Sequence, residues 1–151
     1  MKKVKKYIPI ICICLFIILD QLSKLFLATD FMLIDGAIKL SNVHNTGGAF
    51  GIFSTSVTTI IIMNVILLGM IIRFIILKKD YMSKSVYISL LIITAGGISN
   101  LIDRIFRGYV VDFIDINQII SFPVFNFADV VLVIGWGILA VAVLKDIINN
   151  K

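Results

Sequence analysis

Glutamate is absent from this 151-residue chain, so its nine acidic side chains are all aspartates. That absence removes the HExxH metalloprotease pattern, in which a glutamate beside two zinc-binding histidines acts as general base. Histidine is almost missing as well. His44 stands alone, and a single imidazole with no glutamate and no nearby cysteine makes a poor metal centre, so neither a metal nor an organic cofactor is expected. The two cysteines, Cys12 and Cys14, lie two apart in one apolar run and point to nearly opposite sides of a helix, which excludes a disulfide or a metal pair. Bulky Ile11 and Ile13 precede them, where a lipid-acceptor site would carry small residues. Nucleophilic serine chemistry also lacks its parts. Ser23 and Lys24 diverge around a helix, Ser83 and Ser85 sit in a basic connection, and no GxSxG occurs. Charge is scarce overall: 15% of residues, against about 25% in soluble domains.

What fills the chain is apolar, with 60% hydrophobic residues and a mean hydropathy of +1.07. The length allows one domain. Four runs, approximately 7–26, 57–77, 86–105 and 127–144, each approach the ~20 helical residues that cross a bilayer core of ~30 Å. The first has a basic head like a cleavable leader. However, Asp20, Gln21 and Lys24 occupy the place of a cleavage site, so a retained span is expected. The net charge of +5 comes from clusters between the runs. Lys2, Lys3, Lys5 and Lys6 precede the first, Lys78, Lys79 and Lys84 join the second to the third with Arg73 near them, and Lys145 and Lys151 end the chain. The opposite side holds Lys39, Arg104 and Arg107. This bias places both termini in the cytoplasm and the loops 27–56 and 106–126 outside, and it suits a membrane better than a nucleic-acid partner.

The outer loops carry their own signals. FMLIDGAIKLSNV (31–43) has an Asp-Gly pair between β-prone stretches, which predicts a hairpin with a two-residue turn. HNTGGAFGIF (44–53) follows, rich in glycine. GYVVDFIDINQIISFPVF (108–125) reads as interfacial, and Pro123 stops any helix before the last span.

Ionisable groups at membrane depth are costly, about 2.5–3.5 kcal/mol for an aspartate at a helix centre, and are therefore paired or functional. Asp20-Gln21-Lys24, Asn45 with Gly47 and Gly48, Asn100-Asp103-Arg104, Asp112 with Asp115, and Asn126-Asp129 all fall at outer span ends or in outer loops. They can therefore converge on one site. Asp20 and Lys24, four apart, are expected to form a buried pair holding span ends together. Arg104 is expected to reach a carboxylate or the headgroups, with Asp103 in the same network as Asn100 and Arg104. Asp115 reads as a solvated loop carboxylate, and Asn64 as a bond to a neighbouring helix. Gly96 and Gly97 allow close helix approach. Asp112 and Asp129 remain as a possible acid–base pair. Two adjacent carboxylates share a proton, so one can activate water while the other polarises a carbonyl. Paired aspartates in small membrane proteins also serve proton or cation pathways, and spacing alone leaves both readings open.

DQLSK (20–24), NTGGAFG (45–51), SNLIDRIFRGYVVDFID (99–115) and FNFADVVLVIGWG (125–137) resemble, in order and spacing, the motifs of prolipoprotein signal peptidases, the type II signal peptidases of bacteria. The resemblance spans the chain from first span to fourth. It implies a mainly α membrane aspartic peptidase with four transmembrane helices and a small outer β-rich cradle. Such an enzyme cuts diacylglyceryl-modified prolipoproteins immediately before the lipidated cysteine, at the outer face of the bacterial cytoplasmic membrane. By motif position it implies Asp112 and Asp129 as the catalytic pair, Asn45, Asn100, Arg104 and Asn126 lining the site, and Asp20 and Lys24 near its edge. It also implies inhibition by the peptide antibiotic globomycin. Gly48 stands where the family usually has alanine, and Ser99 where a glycine commonly precedes the asparagine; both are small-for-small exchanges. Phe31, Phe50 and Phe53 are expected to clamp an extended peptide, with Gly47 and Gly48 as the hinge.

Overall fold

The computed structural model describes residues 2–47 and 56–149. The expected clamp residues Phe50 and Phe53 and the hinge residue Gly48 lie outside them. The described chain runs through helix α1 (Lys2–Leu27), strands β1 (Phe31–Ile34) and β2 (Ile38–Asn45), helices α2 (Val57–Lys78) and α3 (Lys84–Arg107), strand β3 (Val110–Asp115) and helix α4 (Phe127–Asn149). A 3-10 turn at Lys79–Tyr81 joins α2 to α3. All four helices are long and apolar enough to cross a bilayer, and they overrun the expected spans at most ends.

Local chemistry sets the helix ends. Ser56 and Ser83 cap α2 and α3, each accepting the backbone N–H three residues on, from Thr59 at 3.2 Å and Val86 at 3.4 Å. Helix α3 ends at Gly108, whose φ of 79° belongs to the left-handed region that closes helices, and its N–H returns to Arg104 O.

Helix α3 is the centre of the bundle. Half of its span is buried, against 11%, 11% and 17% for α1, α2 and α4, whose outward faces carry the lipid-compatible Ile, Leu and Val. Its paired glycines serve two neighbours. A Cβ at Gly96 would meet Ala128 O at 2.8 Å, and one at Gly97 would meet Leu68 Cδ2 at 2.8 Å, so α4 and α2 each lie against bare backbone. At the other end Ile71, Val86, Leu90, Ile93 and Ala142 form the apolar core.

The strands form an antiparallel sheet in the order β1-β2-β3. Asp35 and Gly36 do make the hairpin turn, but with Ala37 it is a three-residue loop: Ile34 pairs with Ile38, Ala37 N–H bonds to Ile34 O, and Gly36 takes a φ of 68°. The left-handed glycine fits such a loop, so the expected two-residue turn is one residue short. A register shift between Leu40 and Val43 then sets Val43 opposite Asp112 and Asn45 opposite Val110. After β3, Phe125 comes back to the strand, accepting from Phe113 and Ile114 N–H and donating to Ile114 O. This closure delivers the chain to the start of α4 directly beside Asp112.

Candidate active site

Asp112 lies in the buried run of β3 and Asp129 in the first turn of α4. Asn126, fully buried, stands between them. Its Nδ2 donates to Asp112 Oδ1 at 2.6 Å. Its backbone N–H donates to Asp129 Oδ2 at 3.2 Å, while its Oδ1 accepts from Asp129 N–H at 3.0 Å. The last two bonds form a capping box, with asparagine as N-cap and aspartate three residues on, so the local chemistry that starts α4 also orients Asp129.

The remaining carboxylate oxygens are held by other elements. Asn45, from the end of β2, donates from Nδ2 to Asp112 Oδ2 at 2.9 Å, and Asn100, from α3, donates from Nδ2 to Asp129 Oδ1 at 2.8 Å. Asn100 Oδ1 in turn accepts from Lys24 Nζ at 2.9 Å and Asn126 Nδ2 at 3.3 Å. Burial pushes the Asp112 carboxyl up to about 6. The Asn45 bond opposes this, the nearby Asp129 charge adds to it, and the Asn126 bond and Lys24 pull it back.

Behind this layer sits a buried ionic cluster. Lys24 Nζ lies 2.7 Å from Asp20 and 2.8 Å from Asp103, with all three side chains fully buried. Asp20 also accepts from Ser99 Oγ at 2.6 Å and from Ala128 N–H at 3.0 Å, so a carboxylate of α1 satisfies a free amide at the start of α4. Gln21 Nε2 donates to Ser99 Oγ at 3.2 Å and to Asp103 Oδ1 at 2.9 Å. Arg107 pairs with Asp103, and Val111 N–H donates to Asp103 Oδ2 at 3.3 Å.

Several expectations change in detail. Asp103 does share a network with Asn100 and Arg104, but through Lys24, which touches both Asp103 and Asn100, and not by a direct bond to Arg104 among the described residues. The i, i+4 partner it meets is Arg107, an outer basic residue in the sequence. Arg104, 9% exposed, makes no hydrogen bond to a carboxylate among the described residues. It donates to Gly47 O at 3.1 Å and Asn100 O at 3.3 Å, tying Gly47 to α3. Asn64 is half-buried and makes no hydrogen bond among the described residues. Asp115 ends β3 rather than lying in the loop, with its carboxyl solvated as expected: it caps the following turn, and bonds from Asn117 and Ser41 hold its carboxyl below the usual range. His44 stacks on Tyr109 with ring centroids 3.9 Å apart. Ser99, a small-for-small exchange in the sequence, joins α1 to α3 through Asp20 and Gln21, and its i, i+4 relation to Asp103 is the one sequence signal of that role.

The profile of the signal peptidase (SPase) II family matches residues 12–145. The chain belongs to the signal peptidase II family. It is 39% identical over 143 residues to the lipoprotein signal peptidase of Staphylococcus aureus strain JH9, a match covering 89% of this chain and 86% of the relative. The protein of strain Newman matches equally. Two solved bacterial membrane enzyme structures, obtained by the in meso method, share the fold. One superposes with a TM-score of 0.84 at 33% identity, covering 95% of this chain and 91% of the other. The second gives 0.79 at 32% identity, with coverages of 91% and 93%. As a signal peptidase II family member this is a multi-pass membrane protease, and described residues of each motif that carried the resemblance, among them Asp20, Asn45, Asn100, Asp103 and Asp112, gather around Asn126 and Lys24.

Proposed function

We propose that the protein is an aspartic endopeptidase that removes signal peptides from diacylglyceryl-modified bacterial prolipoproteins, cutting immediately before the lipidated cysteine. Asp112 and Asp129 are its catalytic pair, in one peptidase domain with both termini cytoplasmic and the site at the outer face. The observation that supports this reading is the position of both carboxylates at one end of the bundle, Asp112 buried and Asp129 half-buried, joined through the single residue Asn126.

In this reading the pair holds one proton between them at the pH of the membrane surface. The ionised carboxylate takes a proton from a water lying between the two, and the hydroxyl oxygen attacks the scissile carbonyl. The protonated partner gives its proton to the carbonyl oxygen. When the tetrahedral intermediate collapses, the first aspartate passes the proton it took from water to the amine nitrogen, the C–N bond breaks, and one hydroxyl of the intermediate returns its proton to the partner. The lipidated cysteine leaves as an amine and the signal peptide as a carboxylic acid, and the pair again holds one proton. Asn45, Asn100 and Asn126 donate to carboxylate oxygens throughout, which fixes the attack geometry without supplying charge. Arg104 donates to Gly47 O and so fixes the chain just after Asn45. Asp20 and Lys24 position α4 and Asn100, and Gly47 is a hinge of the peptide clamp. Globomycin is expected to occupy the same place.

The deciding test is cleavage of a lipidated propeptide by the purified Asp112→Asn and Asp129→Asn proteins. Each is expected to fold, insert and lose turnover. Near wild-type turnover by either variant would falsify the pair, and vectorial ion flux in proteoliposomes without cleavage would move the assignment to a transporter.

A further inference from the structure

At the end of the bundle opposite the aspartates, α3 and α4 leave an open cleft of about 290 Å³ lined by Ser85, Gly137, Ile138, Val141, Ala142 and Lys145. Along α4, Lys145 lies roughly 24 Å from Asp129 at ~1.5 Å per residue, so the cleft is remote from the peptidase centre and near the other membrane surface. Two glycines of α4, two residues apart and so on nearly opposite sides of the helix, have different surroundings. A Cβ at Gly135 would strike Ile93 Cγ1 at 2.8 Å, where α4 lies against α3, whereas one at Gly137 would meet nothing within 4 Å. The exposed side of α4 is therefore bare at Gly137, which deepens the cleft there. In hydrocarbon such an apolar space gives water no partners, and acyl chains are the molecules at hand to fill it.

The mouth of the cleft is polar. Lys145, in the last turns of α4, and Ser85, in the first turn of α3, are both exposed there, and among the described residues neither makes a hydrogen bond or ion pair. Lys84 is exposed beside Ser85, and Lys78 and Lys79 lie over the rings of Tyr81 and Tyr87. Asp80 and Asp146 share this end, yet among the described residues neither forms an ion pair with a basic side chain. The lysines named at this end outnumber its aspartates, so its net charge is positive, and a cation and a hydroxyl stand above an apolar groove. A notch of similar build, Gly69 with Ile72, Ile76, Leu77 and the exposed Arg73, lies on α2.

We propose that the α3–α4 cleft is a binding site for an anionic phospholipid of the adjoining leaflet. Its phosphate meets the Lys145 ammonium and the Ser85 hydroxyl, and part of one acyl chain lies along Gly137, Ile138 and Val141. The volume is at the lower edge of ligand pockets, about 300–1,000 Å³, which suits a segment of a chain rather than a whole lipid. Charge complementarity selects the headgroup, because a cation near the membrane surface favours anionic over zwitterionic lipid.

The test is native mass spectrometry of the full chain in detergent micelles doped with equal dioleoylphosphatidylglycerol and dioleoylphosphatidylcholine. The wild-type protein is expected to retain phosphatidylglycerol preferentially, and Lys145→Ala to lower that preference about five-fold. Gly137→Leu, which fills the groove where nothing stands within 4 Å, is expected to lose the bound lipid while its thermal unfolding stays unchanged. Ser85→Ala gives a second, milder reading of the headgroup contact. Equal retention of the two lipids by the wild type, or wild-type retention of phosphatidylglycerol by both Lys145→Ala and Gly137→Leu, would overturn the proposal. Loss of the preference on Arg73→Ala but not Lys145→Ala would also overturn it, by moving the site to α2.

Discussion

Asn126 donates to Asp112 at 2.6 Å while its own backbone and side chain exchange two bonds with Asp129, so a single residue both starts α4 and sets the spacing of the two carboxylates. The two roles separate by substitution. Asn126→Ala removes both: a lost cap costs about 1 kcal/mol, and loss of a donor to a positioned carboxylate is expected to lower kcat about 100-fold or more. Serine caps helices as well as asparagine but is too short to reach Asp112. Asn126→Ser is therefore expected to recover thermal stability but not turnover. A serine variant that cleaves at near wild-type rate would show that the Asn126–Asp112 bond does not contribute to the chemistry.

Lys24 is fully buried and touches two carboxylates as well as the Asn100 carboxamide. Lys24→Met leaves Asp20 and Asp103 as buried carboxylates without their shared cation, which costs about 3–5 kcal/mol. It also frees Asn100 to turn its carbonyl toward Asp129. Expected outcomes are a lower unfolding temperature in detergent and a fall in kcat with little change in KM. A variant that loses stability alone would show that Asn100 is oriented without the ammonium.

The four helices and the outer hairpin were legible because they rest on local signals: apolar runs of span length and an Asp-Gly turn. The chemistry-bearing residues were legible as clusters, since helical spacing shows which polar groups share a face. Partner choice was not legible. Asp103 sits one residue from Arg104, yet it turns toward α1 because Lys24 offers a full charge in a buried setting, while Arg104 takes carbonyls of Gly47 and Asn100. Which face of α3 meets which helix is decided by Gly96 and Gly97, and one sequence shows that they are small but not what lies against them. The link from Asp20 to Ala128 N–H spans 108 residues and carries no sequence pattern at all.

Gly96 gives a stability prediction with a built-in contrast. An alanine Cβ there would lie 2.8 Å from Ala128 O and 2.9 Å from Leu132 Cγ, and backbone cannot swing aside as a side chain can. Gly96→Ala is expected to cost about 1–3 kcal/mol and to push the first turn of α4, with Asp129, away from α3. Cleavage should fall with it. Gly69→Ala on α2, where a Cβ meets nothing within 4 Å, should be neutral or slightly stabilising, as alanine is the better helix former. Equal melting temperatures for the two variants would contradict the close α3–α4 contact.

Protonation of the pair gives the last prediction. Burial raises the Asp112 carboxyl to about 6, and the bond from Asn45 is the largest influence opposing it. Catalysis needs one ionised carboxylate, so the acidic limb of kcat/KM is expected near that value. Asn45→Ala removes a donor that favours the charged form. The limb should therefore move to higher pH, by about one pH unit for a charge-assisted bond worth ~1.5 kcal/mol. The same raised value has a consequence for folding. A carboxyl that binds its proton more tightly folded than unfolded stabilises the protein fully below the ordinary carboxylate pKa, and that contribution is lost as pH rises through about 6. Thermal unfolding across pH 4 to pH 7 should show this decline, and it should shift upward in Asn45→Ala together with the kinetic limb. A limb that moves to lower pH in that variant would mean that Asn45 supports the protonated rather than the ionised form of Asp112.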